Sequence, residues 1–324
     1  MILIVGAGTI GLQYADILTA MSVPFTLLCR SEQTANKVLQ STPHRALVSD
    51  ASAYLAHTTQ HYSHAIVATA IKDLATVTQA LIAAGIEQIL VEKPLTFSSQ
   101  EAAKLAHAAD AAAVKVWIAY NRRFIPSVQR LRDLLAQDGR IQACRFEFSE
   151  WIDKISWSQK EEQLIENWLI ANSSHVIDLA FFLIGYPKAM TCIADTPVVR
   201  SDKTLPASRF AGCGLSENDI IFSYLSCWDA PGRWRLEVMT ANHRYLLEPL
   251  EQLSVTARNS LSLEKVDVTD KANYGFKPGF YQQVQAFLQQ SPDLMSIRQL
   301  EMQLLNCRKI ASGCQEFYRA AVNE

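Results

Sequence analysis

The sequence predicts an α/β protein of two domains. The first is built on a doubly wound parallel sheet. The second is an α+β domain with a large, mostly antiparallel sheet. Three observations carry this. A short apolar run at 1–5 is closed by Gly6-Ala7-Gly8-Thr9-Ile10-Gly11 and then by helical periodicity. Strand and helix patterns alternate regularly as far as residue 121. After residue 122 short alternating runs take over. At 324 residues the chain also exceeds one typical core.

A strand, a tight glycine turn and a helix are what a dinucleotide pyrophosphate needs. Gly6 permits the sharp turn, because a side chain is unfavourable at positive φ. Gly8 lets the backbone approach the pyrophosphate, and Gly11 lets the helix pack against the strand. Thr9 and Ile10 open the helix, whose N-terminus offers free N–H groups and partial positive charge. The first domain is therefore expected to be a Rossmann dinucleotide-binding domain. Gly6, Gly8, Thr9, Ile10 and Gly11 are its first cofactor residues.

The elements follow in order. The first helix is expected over 10–21, and Pro24 opens a strand at 25–29. In an NAD-specific site an acidic residue ends this strand and binds the ribose. Here the strand ends Cys29-Arg30-Ser31. A guanidinium and a hydroxyl suit a 2′-phosphate, so NADP is expected over NAD, with NAD still compatible. Residues 44–62 read as loops and a short helix. A buried strand at 64–69 ends in Ala68 and Thr69, at the edge where ligands sit in open parallel sheets. Helix 72–84 is closed by Gly85. Strand 88–91 delivers Glu92-Lys93-Pro94 at its tip. An alanine-rich helix at 101–113 and a strand at 116–120, ending in Tyr120-Asn121-Arg122-Arg123, complete the alternation.

The boundary is placed after residue 121, with 122–324 as the second, α+β domain. A helix is expected at 127–137 and a strand at 140–148. Trp151, Trp157 and Trp168 lie on the connection to a helix at 173–184 and read as core or loop packing, with a stacking wall for a sugar or nucleotide as the alternative. Strands 219–227, 233–239 and 243–248 suggest an antiparallel sheet. Helices at 279–290 and 297–321 close the chain.

Composition narrows the function classes. The net charge of −2 gives no basic field for nucleic acid or an anionic membrane surface. The seven cysteines are scattered with no Cys-x-x-Cys pair, which reads as reduced thiols and no zinc site. No metal-ligand spacing is present. With the first strand at the start and no long uncharged apolar run, a cytoplasmic protein is expected.

Four motifs stand in one order: Gly6-x-Gly8-x-x-Gly11, Glu92-Lys93-Pro94, Tyr120-Asn121-Arg122-Arg123-Phe124-x-Pro126, and Ser174-His175-Val176-Ile177-Asp178-Leu179. Together they resemble the Gfo/Idh/MocA family (glucose–fructose oxidoreductase / inositol dehydrogenase). The resemblance implies hydride transfer between a nicotinamide and a hydroxyl or carbonyl of a sugar, polyol or sugar-nucleotide-like compound. It implies that Lys93 contacts the nicotinamide region and the substrate hydroxyl, and that His175 is the general acid/base. It implies that Glu92 holds the loop and the cofactor ribose, and that Ala68 and Thr69 line the ribose and nicotinamide side. Tyr120, Arg122 and Arg123 are implied at the substrate cleft.

The residue types make chemical sense. Hydride exchange with a carbinol needs a proton moved in step, and imidazole can serve in both directions near neutrality. A neighbouring lysine stabilises developing alkoxide charge. Asp178 lies one turn after His175, placed to orient the imidazole or reach substrate. Asn172 can hydrogen-bond a sugar hydroxyl, although Asn172 and Ser173 also read as N-caps for the helix. The chain departs from the family at Ala171, where an aspartate is usual, and at Ala70, Ile71 and Leu74 after the third strand. Those departures motivate an alternative, a non-catalytic nicotinamide-dinucleotide-binding sensor. The resemblance also implies pairing of the second sheets between subunits, so 122–324 is expected to bind substrate and to dimerise, with Tyr224, Trp228 and Trp234 facing a partner subunit in a homodimer or higher homo-oligomer.

Overall fold

The computed structural model describes residues 1–195, 197–200, 203–268 and 275–315. The chain divides into two compact units, residues 1–121 with 272–302 and residues 122–271 with 303–324. The first stretch runs β1 (Ile2–Val5), α1 (Thr9–Ala20), β2 (Phe25–Cys29), α2 (Glu32–Ser41), β3 (Ala46–Val48) and α3 (Ala51–His57). It continues β4 (His64–Val67), α4 (Ile71–Ala83), β5 (Gln88–Val91), α5 (Ser99–Ala111) and β6 (Lys115–Ile118). The second unit begins with α6 (Pro126–Asp138), β7 (Ala143–Phe148), α7 (Glu162–Glu166), α8 (Ser174–Ile184) and β8 (Pro187–Ala194). Then come β9 (Val198–Arg200), β10 (Lys203–Leu205), β11 (Arg209–Ser216), β12 (Ile221–Cys227) and β13 (Trp234–Met239). The last elements are β14 (His243–Leu247), β15 (Leu253–Ala257), β16 (Glu264–Val266), α9 (Phe280–Leu288), β17 (Met295–Ser296), α10 (Ile297–Ser312) and β18 (Cys314–Gln315).

In the first unit the sheet order is β17-β6-β5-β4-β1-β2-β3. Strands β1 to β6 pair in parallel, and β17 pairs antiparallel to β6. The order reverses between β1 and β4, and a crevice opens beyond the carboxyl ends of strands at such a point. Strands β1 and β5 are buried along their whole length, as expected of strands covered on both faces.

Local chemistry sets the boundaries. Ser31 caps α2 by accepting from Thr34 N at 3.2 Å, and Asp50 caps α3 by accepting from Ser52 N at 2.9 Å. The sequence reading assigns no helix over α2, because that helix buries only Val38 and so carries little periodic signal. It also misses β3, a three-residue edge strand with two exposed residues. Helix α10 stops at Ser312, before Gly313 at φ +76°, which a helix end favours. The expected helix to 321 is shorter, and its last positions, 316–321, lie outside the described residues.

Helix α9 and strand β17, placed by the sequence in the second domain, belong to the first unit. Phe280 packs on Tyr14 of α1, with ring centroids 5.3 Å apart. Phe287 meets Trp117 of β6 edge-on at 5.7 Å. The reason is aromatic complementarity with residues 170 and 266 positions earlier in the chain, which a local window does not contain.

The second unit holds a nine-stranded sheet ordered β16-β15-β14-β13-β7-β12-β11-β8-β18. Only β7 and β12 pair in parallel. Helix α8 covers one face, where Phe181 meets Phe146 and Phe222 edge-on at 5.9 and 5.5 Å. Strand alternation puts Tyr224 on that same covered face, 3 % exposed and stacked on Phe146. Trp228 is equally buried and donates to Phe148 O. These two residues therefore do not face a partner. The opposite face carries Ile193, Ile221 and Leu225 instead, each about two-thirds exposed.

Candidate active site

In the first unit a cavity of about 630 Å³ lies at the carboxyl edge of the parallel sheet. Gly6, Gly8, Thr9, Ile10, Arg30 and Ser31 line it. So do Ala68, Thr69, Glu92 and Lys93. Gly11 does not. An added Cβ there falls 1.8 Å from the Gly6 carbonyl oxygen, so Gly11 sets how closely α1 approaches β1. Gly6 has φ +111°, and a Cβ on it would sit 2.4 Å from Ala68 O. The loop after β1 therefore rests directly on the loop after β4. A Cβ on Gly8 meets nothing within 4 Å. Gly8 also precedes α1 with ordinary extended backbone, φ −79° and ψ −175°. An open backbone approach beside a helix N-terminus suits a pyrophosphate, so these residues fit a dinucleotide.

The two ends of the cavity differ in chemistry. At the tip of β2, Arg30 Nη1 and Nη2 donate to Asp73 Oδ1 and Oδ2 at 3.2 and 2.6 Å. Ser31 Oγ is taken up by the α2 cap. At the other end, Tyr14 Oη donates to Glu92 Oε1 at 2.6 Å. That hydroxyl also lies 3.3 Å from the Gln283 amide of α9. Burial raises the Glu92 carboxyl above its ordinary value, while the Tyr14 hydrogen bond and the Lys93 charge act the other way. Burial also holds the Tyr14 hydroxyl well above its ordinary value, so it stays a donor. Lys93 stands next in the chain, half-buried, before a cis bond to Pro94.

In the second unit His175 sits in the first turn of α8, buried, with its ring 5.8 Å from that of Trp234. A single π-helical turn, Leu169–Ser173, precedes it. Such turns occur often at functional sites. Asn172 and Ser173 do not cap α8, because Ser173 already has helical backbone and makes no side-chain cap bond. Both donate to the Glu150 carboxylate instead, at 2.8 Å each. Trp234 Nε1 donates to the same carboxylate at 3.3 Å. Glu150, 8 % exposed just beyond β7, thus ties the turn before His175 to the ring beside it. Nothing in the sequence singles out Glu150, because its partners lie 22 to 84 residues away.

Other assigned substrate residues are placed differently from expectation. Asp178 does not orient the imidazole: both its oxygens accept from Arg123, at 2.6 and 2.9 Å, and both side chains are almost wholly buried. Burial raises the Asp178 carboxyl and the Arg123 guanidinium counters it. Tyr120 is 1 % exposed, a core residue of the first unit. Arg122 keeps partial exposure. It donates to Glu251 at 3.2 Å, and its guanidinium lies 5.5 Å from the Trp234 ring centre. Desolvation lowers the Arg122 guanidinium from its ordinary value. The tryptophans of the connection pack locally: Trp157 and Trp168 meet edge-on at 4.9 Å, and Trp151 donates to Gly232 O.

Residues 1–120 match the family model GFO_IDH_MocA, described as an oxidoreductase family with an NAD-binding Rossmann fold. Among curated proteins, scyllo-inositol 2-dehydrogenase (NADP(+)) IolW of Bacillus subtilis (strain 168) is 29 % identical over 118 residues. That match covers 35 % of this chain and 32 % of IolW, about a third of the relative's length. Among solved structures, UDP-N-acetylglucosamine 3-dehydrogenase GnnA from Acidithiobacillus ferrooxidans has a TM-score of 0.74 at 18 % identity, over 96 % of both chains. Levoglucosan dehydrogenase, solved with NADH and L-sorbose, has a TM-score of 0.75 at 18 % identity, over 95 % of both chains. An oxidoreductase from Agrobacterium radiobacter, solved with NAD+, L-tartaric acid and magnesium, reaches 0.75 at 13 % identity over 95 % of this chain and 94 % of that one. At these identities the structures speak for fold. No helix of the described residues is long and apolar enough to cross a membrane. The glycine turn, the strand order 3-2-1-4-5-6 and the matched family model agree: residues 1–120 match the Gfo/Idh/MocA oxidoreductase family model and form an NAD-binding Rossmann domain.

Proposed function

We propose that this protein is an NADP-preferring oxidoreductase that exchanges a hydride with a hydroxyl or carbonyl carbon of a sugar, polyol or sugar-nucleotide-like compound. One observation carries the reading: a single cavity holds Arg30 at one end, Gly8 beside the α1 N-terminus, and Lys93. The name of IolW, an NADP(+)-dependent inositol dehydrogenase, supports both the cofactor and the polyol class. A bound nicotinamide supplies the hydride acceptor or donor. Arg30 holds the 2′-phosphate, and the glycine turn admits the pyrophosphate. Glu92, fixed by Tyr14, steadies the tip that carries Lys93. Lys93 has the role of stabilising a developing alkoxide, and His175 that of general acid/base. Glu150 positions His175 through Asn172, Ser173 and Trp234. Residues 122–324 supply the substrate-binding part.

Fluorescence titration with NADPH and NADH is expected to show tighter NADPH binding. A panel of polyols, sugars and sugar nucleotides then reads turnover. Lys93→Met and His175→Asn are each expected to lose ~10²–10⁴-fold in kcat, with dinucleotide affinity kept within a few-fold. Turnover unchanged in either variant removes that residue from the mechanism. Binding of neither dinucleotide removes the whole reading.

The protein is further proposed to form a homodimer through the outer face of the nine-stranded sheet. Register places Ile193, Ala211 and Leu225 side by side there. Ile193 and Leu225 are 67 % and 66 % exposed, and adjacent exposed apolar groups mark association surfaces. Light scattering is expected to give twice the chain mass, and Leu225→Glu to halve it. A monomer across a wide concentration range overturns the assignment.

A further inference from the structure

Arg30 is the one residue assigned to read a 2′-phosphate by charge, and the structure shows what it does within the chain. Its two terminal nitrogens meet the two oxygens of Asp73 in parallel, at 3.2 and 2.6 Å. This is the fork geometry by which a guanidinium takes a carboxylate or a phosphate. Asp73 is the third residue of α4, in the first helical turn, where a carboxylate is favourably placed. Its side chain is 20 % exposed, against 63 % for Arg30. The carboxylate is therefore the better anchored partner, and the guanidinium is the one that reaches over to it. Ser31, the other group at this tip, has its hydroxyl engaged by Thr34 N and sits 2.9 Å from Thr34 Oγ1.

We propose that Asp73 is a selectivity residue for the dinucleotide. Its carboxylate occupies the fork of Arg30 that a 2′-phosphate takes, so the two anions compete for one guanidinium. The inference rests on the reading of Arg30 as the phosphate reader. Asp73 then weakens NADPH twice over, by holding Arg30 and by placing negative charge beside the phosphate. A ribose with a free 2′-hydroxyl carries no charge there and is indifferent to Asp73. The preference for NADPH is thus set by a balance between residues 30 and 73, and the residue at the end of β2 is only half of the determinant. An exposed ion pair of this kind is weak, so the competition shifts affinity without abolishing binding.

The test is fluorescence titration of the full-length protein with NADPH and, separately, NADH at one fixed ionic strength. Wild type, Asp73→Asn and Arg30→Ala are compared, and thermal melts check that each is folded. Asp73→Asn is expected to tighten NADPH ~3–10-fold and to leave NADH unchanged. Unchanged or weaker NADPH binding in Asp73→Asn overturns the inference, as does an equal change for both dinucleotides. The Arg30 arm separates the two levels. If Arg30→Ala lowers the preference for NADPH and Asp73→Asn does not raise it, the competition fails while the NADP reading stands. If Arg30→Ala leaves the preference unchanged, the phosphate reading falls and this inference falls with it.

Discussion

Asp178→Ala is expected to lower the stability of the second unit by about 3–5 kcal/mol, because it removes the carboxylate that meets the buried Arg123 guanidinium. Arg123 is 2 % exposed, and its Nε and Nη2 both donate to Asp178. Its guanidinium also lies 4.5 Å from the Phe182 ring centre. The Arg123 carbonyl accepts from Gln129 Nε2 at 2.6 Å, so the backbone is held as well. A domain of this size loses roughly 2–4 °C per kcal/mol, so the melting temperature should fall by roughly 6–20 °C. The double variant Arg123→Met with Asp178→Leu is expected to recover most of the loss, since an apolar pair of similar volume often replaces a buried ion pair at little cost. Differential scanning calorimetry of the three proteins checks this. A loss below about 1 kcal/mol in Asp178→Ala would refute the account.

The second large effect separates two glycines of one motif. Gly8→Ala is expected to leave thermal stability unchanged while weakening dinucleotide binding ~10-fold or more, about 1.4 kcal/mol per tenfold. Its backbone is already extended, and its added Cβ meets no protein atom within 4 Å. The methyl instead takes up space needed for close approach of a pyrophosphate. Gly11→Ala is expected to weaken binding comparably and also to cost about 1–3 kcal/mol of stability. Its Cβ lands 1.8 Å from Gly6 O, a backbone atom that cannot swing aside. Helix α1 must shift, and its N-terminus moves with it. Thermal melts and NADPH titration on both variants read the two effects separately. Equal stability loss in both would contradict the division of roles.

Much of the first unit is legible locally. The run 1–11 specifies strand, turn and helix within one window, and each glycine has a steric reason that needs no distant residue. The β5 tip bearing Glu92 and Lys93 is equally readable, because a short apolar strand ending in charged residues places them at the sheet edge. Helix α2 was hidden, since it buries a single residue and rests on the Ser31 cap more than on periodicity. Asp178 misled for a different reason. One helical turn from His175 is close enough to reach it, and only a buried Arg123 from 55 residues earlier diverts it.

What the sequence by itself determined is the dinucleotide-binding part: its strand–helix alternation, the glycine turn and the family model that residues 1–120 match. These depend on contacts between near neighbours, which leave periodic and motif signals in a single chain. The tertiary structure alone decided that α9 joins the first unit and that Glu150 anchors the turn before His175. It also decided that Tyr224 faces inward while Ile193 and Leu225 face outward, and that Asp73 holds Arg30. Each is a pairing across tens to hundreds of residues. Its energy comes from burial, ring contact or charge complementarity, which become visible only when the two partners are brought together.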